Sequence, residues 1–239
     1  MDHYVKIERA DNSLIACVSM TGLRPDLGPR QLLAHAIRHY VETGGCGLMG
    51  LYAHRVDFGP NFNFNSCDLR HATLYGAKLQ GAQFGNADLT DIDLGGADLR
   101  GADFDYVHNL TGADFRYAQL NGADLGSVGL TRCRFEHAKV DGAKYRGTVL
   151  RRHIASVDRS DDYTFHAFQL QNGLVMIAAG CRWMTIPEYR RHIAIAYDDL
   201  RIGDETKAIL DFLEARARHL GIDASRAGAA PIDADDIPL

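Results

Sequence analysis

Between Cys67 and Tyr145 a large apolar residue returns at every fifth position. The series runs Leu69, Leu74, Leu79, Phe84, Leu89, Leu94, Leu99, Phe104, then Leu110, Phe115, Leu120, Leu125, Leu130, Phe135, Val140 and Tyr145, with Leu150 beyond it. A period of five fits neither the 3.6 of a helix nor the 2 of a strand. A fixed short period instead marks a repeat architecture. Two positions before most of the large residues stands a small one: Ala72, Ala77, Ala82, Ala87, Ala97 and Ala102, with Cys67 and Cys133 in the same place. A polar residue, often Asp, separates small from large. Two turn-like residues, often ending in Gly, complete each unit.

One small and one large side chain per unit therefore point inward, and three point outward. A chain that turns a corner every five residues closes a four-sided circuit in four units. The next circuit stacks on it at about 4.8 Å, so backbone hydrogen bonds run between circuits. Glycine suits the corners because it tolerates positive φ. Asp suits them because its carboxylate accepts neighbouring backbone N–H groups. Right-handed winding is the default hand for such crossovers. Two steps are six residues long instead of five: Phe58 to Phe64, around Gly59-Pro60, and Phe104 to Leu110. In the second, one residue is expected to loop out between Tyr106 and Asn109. The register then predicts that Phe84 stacks under Phe104 with Leu125 and Tyr145 above, and that Leu74 and Leu94 lie below Phe115 and Phe135.

Stacked circuits expose their ends and need caps. Residues 1–45 read as the first. "HYVKIER" and "SLIACVSM" are strand-like around an Asp11-Asn12 turn, and "GPRQLLAHAIRHYVETGG" is a helix with Pro29 at its start and Gly44-Gly45 at its stop. Leu33, Ala36, Ile37, Tyr40 and Val41 share one face of it. After Leu150 the pattern fades, and the polar residues 151–162 read as a connection. "YTFHAFQL" and "LVMIAAG" flank an Asn-Gly turn and read as a hairpin. "TIPEYRRHIAIAYD" is a helix with a Thr185–Glu188 capping box, and "DETKAILDFLEARARHLG" is a second helix ending at Gly221. The segment 222–239 reads as a flexible tail.

These units resemble the pentapeptide-repeat family, whose pattern is A-(D/N)-L-x-x. The resemblance is clear from Cys67 to Tyr145 and weaker upstream in "CGLMGLYAHRVDFGPNFNF". It implies a mainly β chain: a right-handed quadrilateral β-helix over residues 46–150, with small α/β caps at both ends. The flanks are similar to those of phage and prophage members, which carry "AGCRWMTIPEYRRH"-like sequence after the repeats. Such members have no established activity. Some proteins of the family imitate duplex DNA and bind a topoisomerase. Members often dimerise through a terminal element, which implies a homodimer; the C-terminal helices are the expected interface, with the blunt end of the stack as the alternative.

Net charge is −5 over 239 residues, which argues against a protein that holds nucleic acid through bulk positive charge. No apolar run reaches 18 residues, and the N-terminus lacks an apolar signal core, so a cytoplasmic protein without a membrane span is expected. The five cysteines Cys17, Cys46, Cys67, Cys133 and Cys181 are scattered, form no C-x-x-C pair, and support neither a zinc site nor a disulfide framework.

Chemistry is sparse. His35 and His39 have no acidic partner at helical spacing, and His71 and His137 fall at outward or corner positions. His153, Ser156 and Asp158 have the residue types of a triad, but only geometry proves one. No catalytic residue, metal or cofactor is expected. Two binding readings are carried forward. In the first, the Asp series (Asp88, Asp93, Asp98, Asp103, Asp114, Asp124) lies on the surface that meets a macromolecule, and the protein is a non-enzymatic binder. Its partner would be a protein, such as a host nucleic-acid-handling or defence enzyme inhibited by a phage-type protein. Against close imitation of DNA, residues 61–105 hold 7 acids and 3 bases while residues 106–150 hold 4 and 6, so charge changes sign along the stack. Satisfaction of corner amides is the simpler role for these Asp residues. In the second reading, Arg151, Arg152, Arg182 and Trp183, near the helix start at Thr185, hold a small anion or nucleotide.

Overall fold

The computed structural model describes residues 4–19, 27–180, 182–196 and 201–227; Cys181 and the last part of the expected tail, 228–239, lie outside them. Within each unit the first and third side chains are buried. Ala72, Leu74, Ala77, Leu79, Ala82 and Phe84 are all at 1% exposure or less. This is the pleat of a short extended segment, whose alternate side chains point to opposite sides. The fifth position then bends the chain. It has positive φ whether it is glycine, as at Gly76 (64°) and Gly101 (66°), or not, as at Ser66 (60°), His71 (57°) and Tyr117 (61°). At Gly126 the positive φ (61°) comes one position early.

Parallel bridges tie each unit to the one 20 or 21 residues later, in four columns: Gly47–Asp68–Asp88–Asn109, Tyr52–Thr73–Asp93–Asp114–Arg134, Asp57–Lys78–Asp98–Gln119–Lys139, and Asn63–Gln83–Asp103–Asp124–Lys144. Each residue of a column donates and accepts across the gap: Leu69 N–H reaches the Asp88 carbonyl at 2.9 Å, and Asp88 N–H reaches the Cys67 carbonyl at 3.0 Å. The interior stacks as the register predicts. Phe84 lies 4.8 Å from Phe104 and 5.5 Å from Phe64, with rings within 10° of parallel, and Phe115 lies 5.1 Å from Phe135.

The first six-residue step is accommodated at a corner, the second in the side that follows one. In the first, Phe62 fills a position elsewhere given to a small residue. The Arg38 guanidinium lies 4.7 Å over its ring and donates to the Phe58 carbonyl at 2.5 Å. In the second, Val107 takes the small inward place and His108 is the added residue. His108 N–H donates to the Ala87 carbonyl while Asn109 keeps the bridge to Asp88, so two residues share one position.

The N-terminal end carries β1 (Tyr4–Glu8) and β2 (Leu14–Ser19), paired antiparallel, and α1 (Pro29–Glu42). Ala36 and Ile37 of α1 are buried, and Leu33, Tyr40 and Val41 pack partly buried beside them. A bridge from Arg9 to Leu51 joins this cap to the stack.

The C-terminal end differs from expectation. Residues 151–162 are not a connection: β4 runs Thr148–Asp158. It pairs with the short β3 (Lys144–Tyr145) and with β5 (Thr164–Leu170), followed by β6 (Val175–Ala179) and β7 (Arg182–Thr185) in one antiparallel sheet. Only Leu150 and Ile154 of β4 are buried, so a mostly polar segment is held as a strand by its partners. The sheet lies between two cores. Phe168 and Leu170 face the coils, while Phe165 and Ala167 face α2 (Ile186–Ala196) and α3 (Arg201–His219). Glu188 accepts both the Thr185 N–H and hydroxyl, completing the box read from sequence. The tail is not free from its start, because Ile222 and Ala224 are buried against the helices.

Strand β5 also finishes the last coil. Thr164 Oγ1 accepts Arg132 N–H at 3.0 Å, and His166 Nε2 faces the Leu130 carbonyl at 2.8 Å. Side chains thus stand where a further coil would supply backbone groups.

Candidate functional surface

The six Asp residues singled out in the sequence share one geometry. In each, Oδ1 accepts the backbone N–H two residues on: Thr90 for Asp88, Gly95 for Asp93, Arg100 for Asp98, Asp105 for Asp103, Arg116 for Asp114 and Gly126 for Asp124, at 2.9–3.4 Å. Asp57, Asn63, Asp68 and Asn109 do the same. The corner leaves this N–H turned away from the coil, and the side chain satisfies it.

The six are spread over all four columns, with at most two of them in succession before a base or an amide intervenes. Asp88, Asp98 and Asp114 of the six are also paired, as are Asp57 and Asp68 in the same columns. Arg70 bridges Asp68 at 2.7 Å, Arg100 bridges Asp98 at 2.8 Å, Arg116 bridges Asp114, and Lys78 bridges Asp57 at 2.8 Å. Hydrogen bonds from Lys78, Arg70 and Arg100 hold Asp57, Asp68 and Asp98 below the usual carboxylate range. Burial raises Asp114, but the Arg116 and backbone hydrogen bonds outweigh it and the net direction is down. Among the described residues no lysine or arginine nitrogen lies within 4 Å of Asp103, Asp105 or Asp124.

A groove of about 550 Å³ runs between the second column and the C-terminal sheet. Asp93, Asp114 and Arg134 line one side, and Ser156, Asp158 and Thr164 the other. Beside it lies a polar trio, with His166 fully buried and His153 and Ser156 half-buried, that only the fold brings together. His166 Nε2 faces a carbonyl, so it carries the proton and Nδ1 accepts from the Ser156 hydroxyl at 2.7 Å. Ser156 Oγ then accepts from His153 Nε2 at 2.9 Å. Burial pushes His166 down to about 4; burial, with His166 nearby, pushes His153 down to about 3. Asp158 stands apart and accepts the Thr164 hydroxyl at 2.7 Å. The triad order His153, Ser156, Asp158 therefore does not assemble, and the trio fastens β4 and β5 to the last coil.

The groove is lined by none of Arg151, Arg152, Arg182 and Trp183. Arg151 and Arg152 are exposed on β4. Trp183 sits edge-on to Tyr145 at 5.0 Å, a packing role. Burial pushes the Cys67 and Cys133 thiols up to about 12, as suits interior spacers. Among the described residues no three His, Cys, Asp or Glu side chains converge as metal ligands, and no helix is long and apolar enough to cross a membrane.

The family described as pentapeptide repeats (8 copies) matches at residues 61–91, 82–128 and 109–147. Among solved structures, a pentapeptide-repeat protein of the Arabidopsis thaliana thylakoid lumen is 39% identical over 42% of this chain and 61% of its own, with a TM-score of 0.26. This chain thus spans about three fifths of that relative. A pentapeptide-repeat protein of Nostoc Pcc 7120 is 30% identical over 38% of this chain and 76% of its own, with a TM-score of 0.28. No curated protein matches.

Proposed function

Because the chain belongs to the pentapeptide-repeat family, whose members are in general structural or interaction proteins, we propose that it is a non-enzymatic interaction protein. In this reading its coils wind right-handed into a four-sided β-helix and offer stiff outer faces to a macromolecular partner. One observation carries it: the outward second-position residues sit in four bridged columns, so side-chain spacing is set by backbone register. Such a surface loses little side-chain freedom on binding. The protein works in the cytoplasm, a compartment that suits the free Cys17, Cys46, Cys67 and Cys133. It pairs two-fold through its C-terminal helices, where Ile195 and Phe212 are 87% and 52% exposed.

The test is capture from a lysate of the source organism by the immobilised chain. A defined protein retained in stoichiometric amount supports the reading, and retention of no specific protein contradicts it. The narrower form, a phage-type inhibitor of a nucleic-acid-handling enzyme, predicts inhibition of DNA supercoiling; the interruption of every Asp column weighs against it. Sequestration of a small anion near Arg151, Arg152, Arg182 and Trp183 draws no support from the groove beside the second column, which none of them lines.

A further inference from the structure

Exposed tyrosines on the coils are mostly stacked. Tyr52, His54 and Tyr75 form a ladder at 6.3 and 5.2 Å with rings within 7° of parallel, and Tyr117 stacks on His137 at 4.9 Å. Tyr106 does not follow this pattern. It is 80% exposed, more than any other large apolar or aromatic side chain of the coils, and no ring lies against it among the described residues. It sits beside the added residue His108, at the corner where the repeat breaks step. Its neighbours one coil below and above are Asn86 and Ser127, too small to cover the ring.

The side that carries the fourth column ends at the same corner. Here Asp103, Asp105 and Asp124 lack the cations that the other columns supply to Asp57, Asp68, Asp98 and Asp114. Gly85 and Gly126 flank Asp105 below and above, and its half-buried carboxylate accepts the Tyr106 N–H at 3.1 Å. The bases of this side, Lys144 and Arg146, lie at its upper end. Arg146 is turned over the Tyr145 ring and donates to its hydroxyl, and Lys144 closes the column.

Uncompensated carboxylates beside a bare aromatic face complement one kind of group, a cationic side chain. The carboxylates take its charge, and the ring takes it in a cation–π contact. Resting on the reading of the chain as an interaction protein, we infer that the face bearing Asp103, Asp105, Tyr106 and Asp124 docks a Lys/Arg-bearing segment of a protein partner. The register break adjoins that surface: His108 is added on the next side of the coil, two residues past Tyr106. A nucleic-acid partner would meet like charge on this face.

The experiment uses the full chain and a fluorescein-labelled eight-residue Arg/Gly peptide, with a Glu/Gly peptide as control, read by anisotropy at low and high salt. Saturable binding of the basic peptide alone is expected. Tyr106→Ser should weaken it about fivefold, and the pair Asp103→Asn with Asp105→Asn about tenfold. The pair Asp57→Asn with Asp68→Asn removes the same charge from ion-paired columns and should leave affinity within about twofold. Thermal melts confirm that each variant is folded. Absence of binding, an equal loss from the Asp57/Asp68 pair, or an unaltered Tyr106→Ser overturns the assignment. If this face fails while lysate capture succeeds, the interaction reading stands and only its location is lost; if capture fails too, both fall.

Discussion

At the residue scale, the inward positions carry the stability. Leu120 is fully buried within the stack. Leu120→Asp would place an unpaired charge in an apolar interior, at a cost of about 4 kcal/mol or more. Circular dichroism should show loss of the cooperative transition; a melt within a few degrees of wild type would contradict this packing. These positions were legible because one small and one large residue recur in fixed phase. The Asp residues were legible too, since a carboxylate two residues before a corner amide has an evident partner. Tyr106 was not. Its identity resembles that of Tyr117 in the same unit position, and only the absence of a stacking neighbour distinguishes it. His166 was hidden for another reason: its partners Ser156 and Leu130 are distant in sequence and meet only through the cap.

At the scale of elements, two consequences follow from how the stack is joined and closed. His153 and His166 are held at about 3 and about 4, below the ordinary 6.5 that they regain on unfolding. The unfolded chain therefore binds more protons below about pH 6.5. The stabilisation is complete above that pH and is lost as pH falls through about 4, at up to about 1.4 kcal/mol per pH unit for each histidine. Urea midpoints between pH 7.5 and 5 should fall accordingly, and His153→Gln with His166→Gln should flatten the slope; a flat wild-type profile would count against the two neutral histidines of the trio. The second consequence concerns the added residue. Deleting His108 leaves Asn109 to donate to Ala87, as Asp88 donates to Cys67, so stability should change by no more than about 1 kcal/mol. Deleting Thr111 instead shifts every later inward residue outward and should abolish folding. Elements with a strong period or cap were readable: the repeat, α1, the β5–β6 hairpin, and the start of α2. Strand β4 was not, because it buries only Leu150 and Ile154 and owes its shape to β5.

At the scale of the molecule, a repeat stack with covered ends has sides but few concave places. The groove beside Ser156 is formed where a coil face meets the cap, a meeting that no local pattern encodes. Self-association belongs to this scale. Light scattering should give twice the 26.4 kDa chain mass, and Phe212→Glu, at an exposed site on α3, should halve it without altering the melt. A wild-type mass of one chain would remove the two-fold pair. The central claim is that residues far apart in sequence stand directly above one another. Spin labels at Asn63 and Lys144 occupy the two ends of the fourth column, four coil steps apart. At about 4.8 Å per step the two sites should lie about 19 Å apart, and dipolar spectroscopy should return one narrow distribution near that distance. A broad distribution, or a mean beyond about 35 Å, would contradict the stacked coils on which the account rests.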